Sequence, residues 1–106
     1  MFRAAALAPG PALPTEFALH PARPNPFAST LLVPFDLPRA TDVALEVFDL
    51  LGRRVAMLAE GAWPAGRHAV AWDGRARSGA LAAPGVYTVR LRAGSFHTRR
   101  QVVRMP

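Results

Sequence analysis

A chain of 106 residues has room for one domain and one hydrophobic core, not two. Hydrophobic residues make up 51% of it, which excludes wholesale disorder, and the absence of cysteine excludes a disulfide scaffold, a thiolate metal site and a thiol nucleophile. All thirteen basic residues are Arg, and the net charge of +6 is unevenly placed: three Arg face five acids in residues 1–50, a net of −2, whereas ten Arg face two acids in residues 51–106, a net of +8.

Residues 1–15 are mostly Ala and Pro, and Pro9, Pro11 and Pro14 forbid a helix there, so this segment reads as an extended interdomain linker ahead of a domain over residues 16–106. Met1 to Ala8 is similar to a scrap of a signal peptide, but its apolar stretch breaks at Pro9 and is too short to work as one. If the domain is exported, its signal belongs to a longer precursor. No apolar stretch reaches the roughly 18 residues that span a bilayer, so stable membrane insertion is not expected.

Phe17 to His20 begins the domain as a short edge strand, and Pro21, Pro24 and Asn25-Pro26 then impose turn geometry. Leu31, Val33, Phe35 and Leu37 alternate with other residues at the strand period, and Pro34 places this strand at an edge or leaves it one neighbour at that point. After a turn at 38–41, Val43, Leu45 and Val47 share one face of the next strand. Leu50 to Arg53 turns the chain, Arg54 to Leu58 forms another strand, and Glu60 to Gly66 reads as a longer link. His68, Val70 and Trp72 share a face, Asp73 to Ala83 is a polar loop, and two alternating runs, Val86–Leu91 and Phe96–Met105, meet at Gly94-Ser95 as a two-residue hairpin with Gly supplying positive φ. The expected fold is all-β: an immunoglobulin-like antiparallel β-sandwich of about seven strands, without the Cys…Trp…Cys spacing of antibody domains.

No catalytic constellation emerges, so an enzyme is not expected, nor a cofactor or metal. His20, His68 and His97 fall on three strands without ligand spacing. Asp36, Asp42, Glu46 and Asp49 read as solvent-facing strand and turn residues, and the serines lack a nucleophile elbow. Asp73 to Gly79 has one acid and two Arg, which suits a plain turn better than a calcium loop. Trp72 and Tyr87 read as core. Trp63, beside Pro64 in a loop, is the candidate for an exposed aromatic ring. Only Phe96 is an aromatic interleaved with the basic strand, so nucleic acid is not an expected partner. The terminal hairpin carries five Arg and no acid. Arg100 and Arg104 share one face with Val102 between them, while Arg99 and Val103 take the other, which leaves room for a bulge. The basic half is either a set of solvated, edge-protecting faces or a surface for an acidic partner or anionic lipid.

Several segments carry a family resemblance: Arg23-Pro24-Asn25-Pro26-Phe27, Val47 to Arg53 (VFDLLGR), Pro64 to His68, Trp72-Asp73-Gly74, Pro84 to Val89 (PGVYTV) and the Arg100…Arg104 pair. Residues 17–106 resemble the type A C-terminal sorting domain of the type IX (Por) secretion system, and Asp73-Gly74-Arg75 with Gly85-x-Tyr87 is similar in texture to the Ig-like domain of the flagellar hook-capping protein. The first resemblance implies a non-catalytic signal that carries an N-terminal cargo domain across the outer membrane, with the translocon and a surface sortase as partners, Gly85, Tyr87, Arg100 and Arg104 as recognition candidates, and a secreted or cell-surface location. The rival readings are an accessory binding module for carbohydrate or adhesion, centred on Trp63, and a hook-cap-type structural domain.

Overall fold

The computed structural model describes residues 12–106. Residues 1–11 of the expected linker lie outside the described residues. Its remainder is docked rather than free, because Pro14 is buried and the Ala12 carbonyl accepts a hydrogen bond from Arg67 Nη1.

Seven strands form two antiparallel sheets, an Ig-like β-sandwich, with no helix among the described residues. They are β1 (Ala18–Leu19), β2 (Leu31–Leu37), β3 (Thr41–Phe48), β4 (Arg54–Trp63), β5 (Gly66–Trp72), β6 (Gly85–Ala93) and β7 (Phe96–Arg104). One sheet runs β1-β2-β5 and the other β4-β3-β6-β7. The alternation read along the chain is the burial pattern. Leu31, Val33, Phe35 and Leu37 meet Val43, Leu45 and Val47 of β3 and Tyr87, Val89 and Leu91 of β6, all buried between the sheets. Each such side chain removed from water contributes on the order of 1.5–3 kcal/mol, so these three strands supply most of the adhesion between layers.

Pro34 lies in an interior strand rather than an edge strand. In an antiparallel strand the N and C=O of one residue point to the same side. The Pro34 carbonyl accepts His20 N at 3.0 Å, so its missing donor faces the two-residue β1 and the β5 ladder is unbroken. β4 runs further than the sequence pattern indicates, through most of the expected 60–66 link. Register shifts opposite Leu45/Glu46 and Val47/Phe48 insert an extra residue twice, at Leu58 and Val55, so the strand period fails while the strand continues. Between the two bulges the phase is inverted, which puts Ala56 on the inner face; past Leu58 the phase set at Arg54 returns, and Ala59 and Trp63 face inward on it.

The hairpin forms as read. Ala93 pairs with Phe96, Gly94 takes φ +60°, and the β6/β7 register is continuous from Gly85↔Arg104 to Ala93↔Phe96, with no bulge. Opposed residues of this ladder share a face, so Arg100, opposite Val89, and Arg104, opposite Gly85, both belong to the inner face of the sheet.

Candidate functional site

The residues singled out from sequence do not converge on one site. Tyr87 is buried, its ring set against Trp72 at 5.5 Å, and its hydroxyl donates to the Ala83 carbonyl four residues back, the tyrosine corner of Ig-like sandwiches. Gly85 is exposed at the start of β6. Arg100 reaches across the open edge of the sandwich and donates from Nε to the Leu19 carbonyl of β1 at 2.7 Å. Arg104 lies over Gly74, where a Cβ would stand 3.1 Å from its Nε. Inward charges at an edge strand block strand addition, so this pair guards a sheet edge, with Arg100 still exposed to solvent. Trp63 is not an exposed ring. It is half-buried on the inner face of β4, edge-on to Phe35 at 5.5 Å and to His68 at 5.1 Å, because it lies opposite Thr41, in phase with Val43 and Leu45 of β3.

The β7 edge has a second guard that sequence reading passed over. Asn25 Oδ1 accepts Val103 N at 2.9 Å and its Nδ2 donates to the Gln101 carbonyl, while Phe27 N donates to the Val103 carbonyl and Met105 N to the Phe27 carbonyl. Asn25 thus stands in for a strand residue, and Phe27 is fully buried against Trp72.

The histidines serve separate local roles. His20 Nε2 lies 2.7 Å from Asp36 Oδ2, His68 Nε2 lies 2.8 Å from the Pro64 carbonyl, and His97 is exposed on the outer face of the four-stranded sheet. Among the described residues no three His, Asp or Glu side chains gather as a metal site would require.

The outer face of the four-stranded sheet is where charge concentrates. The cross-strand row runs Arg99 (β7), Arg90 (β6), Glu46 (β3), Met57 (β4), flanked by Arg92 and Arg54. Glu46, read from sequence as solvent-facing, is only 3% exposed. Arg90 Nη2 meets its Oε1 at 2.8 Å, Arg54 Nη1 its Oε2 at 3.2 Å, and Arg92 approaches to 3.6 Å. Burial pushes the carboxyl pKa up, but hydrogen bonds from Arg90 and Arg54 and the charges of Arg90 and Arg92 together outweigh it and hold the group below its ordinary value. One carboxylate thus sits under three guanidiniums, and the face keeps a positive surplus. Arg99 stands directly opposite Arg90, and no acid lies within ion-pair range of it among the described residues.

Beside this row the β3–β4 turn is clamped by Asp49. Its Oδ1 accepts Leu51 N at 2.9 Å and Arg53 N at 3.0 Å, its Oδ2 accepts Arg53 Nε at 2.8 Å, and Gly52 adopts φ +79° to close the turn. The Arg53 backbone hydrogen bond leads the effects that lower the Asp49 pKa. The clamp holds Leu50 and Leu51 in water, 72% and 76% exposed. A basin of about 420 Å³ joins Leu50 and Phe48 to Arg90 and Arg99.

A family model, the FlgD Ig-like domain, matches residues 28–95, more than half of the chain, from just before β2 to the Gly94-Ser95 turn. No curated protein matches the chain. The family match overturns the type IX sorting-domain resemblance. The segments that suggested it are the structural parts of the sandwich, namely the tyrosine corner, the Asp49 turn and the Asn25 edge guard.

Proposed function

Because the chain belongs to the FlgD Ig-like domain family, we propose that it is a non-catalytic structural domain of the flagellar hook-capping type, working by contact with protein subunits at the cell surface and needing no cofactor. The single observation that carries this reading is the family match, which spans β2 to β6 and hence most of both layers. Support comes from where the polar chemistry lies. His20 and Asp36 pair with each other, Asp49 clamps a turn, and Glu46 anchors arginines, so each is engaged in holding shape. An accessory carbohydrate module would need an open aromatic platform, and Trp63, the ring considered for that role, is edged by Phe35 and His68.

The test is to delete the segment encoding residues 28–106 from the host gene and to count assembled hooks by electron microscopy. Loss of capped hooks, restored by the intact gene, is the expected result. Hooks unchanged by the deletion, or an unmodified parent host that builds no hooks at all, refute the hook-cap reading.

A further inference from the structure

The geometry points to a protein-docking site at the Asp49 turn and the adjoining arginine row, whose occupant is an acidic segment with interspersed apolar side chains from a protein partner. This inference rests on the reading of the domain as one that acts by protein contact.

Three observations combine. First, the β3–β4 turn presents two leucines to water on a backbone fixed by five hydrogen bonds to and from Asp49 and Arg53, so little conformational entropy is lost when they are covered. Second, Arg99 and Arg90 are directly opposed across β6 and β7. Like charges so placed repel, and the single Glu46 carboxylate beneath them is already shared by three guanidiniums. An added carboxylate relieves that repulsion, and the planar guanidinium fork matches a carboxylate in two parallel hydrogen bonds. Third, the basin between them is bounded by Phe48 and Leu50 on one side and Arg90 and Arg99 on the other. The Arg90 guanidinium stacks over the Phe48 ring at 4.6 Å, which keeps it in place to receive the ligand. Arginine and aromatic side chains are enriched at the centre of protein interfaces, and the exposed leucines beside them add apolar area that a partner would remove from water. A free anion or a polysaccharide would use the arginines alone and leave the leucines wet.

The probe is a short synthetic peptide alternating Asp and Leu, titrated into the isotopically labelled chain and followed by amide NMR shifts. Controls replace Asp by Asn, replace Leu by Ser, or substitute a heparin oligosaccharide. The expected result is saturable shifts at Leu50, Leu51, Gly52 and Arg99, weaker in high salt. Affinity should fall roughly tenfold in Arg99→Ser and in the double variant Leu50→Ser/Leu51→Ser, with the hairpin amide shifts of both variants retained as proof of folding. Several outcomes refute the inference: no binding, shifts confined to another part of the sandwich, affinity untouched by either variant, or equal binding of the Leu-to-Ser peptide or of heparin. None of them bears on the hook count, so failure of the docking site and failure of the hook-cap reading are told apart.

Discussion

Tyr87 and Glu46 mark the two limits of what a single residue reveals before folding. Tyr87 was legible as core because it sits in phase with Val89 and Leu91 on β6. Its hydroxyl was not, since the acceptor is a loop carbonyl, Ala83. Tyr87→Phe is expected to cost about 1 kcal/mol, the net worth of one neutral hydrogen bond, visible as a lower urea midpoint with unchanged slope. Glu46 falls in the solvent phase of β3, and Arg54, Arg90 and Arg92 from other strands close over it. Its folded pKa is lowered, so its contribution to stability is full above the unfolded value and disappears as pH falls through the folded one. Glu46→Gln should therefore flatten the acid side of the stability curve, measured by thermal unfolding from neutral to low pH. A variant whose acid limb matches the parent would show that the arginine cage does not stabilise the carboxylate.

At the scale of elements, most strands could be read from apolar alternation because each inner face is buried against the other sheet, and period-two burial writes itself directly into sequence. The failures have local causes. β4 continues past Leu58 because two bulges shift its phase, which the alternation rule registers as an ending. Pro34, by contrast, takes the second of its two expected placements: β2 is interior, and at Pro34 it bonds one neighbour only, the missing donor facing the shortest strand. The Asn25–Phe27 segment carries no strand period at all, yet it shields the end of β7 through a side-chain amide. Asn25→Ala is expected to lose on the order of 1–2 kcal/mol and to raise amide hydrogen exchange at Val103 and Met105 well beyond that of the β3–β6 pairing. Unchanged protection at those two amides would mean that Phe27 alone holds the edge.

For the whole molecule, one core joins the layers, and Phe35 is its hub, fully buried and touching both Trp63 of β4 and His68 of β5. Phe35→Ala should cost about 3–5 kcal/mol, a large part of the roughly 5–15 kcal/mol available to a domain of this size. Its thermal midpoint, followed by far-ultraviolet circular dichroism and tryptophan emission, should fall by more than about 10 °C. A variant that unfolds at the parent temperature would place the inter-sheet adhesion elsewhere. The sequence by itself determined the class, an all-β sandwich of seven short strands, the turn at Gly94-Ser95 and the core faces, because these depend on local periodicity and backbone sterics. Only the tertiary structure decided that Arg100 and Arg104 face inward as edge guards, that Trp63 is covered, and that Glu46 lies beneath arginines from two other strands. Those outcomes depend on strand register and on which sheet each strand joins, and both are set by contacts between residues distant in the chain.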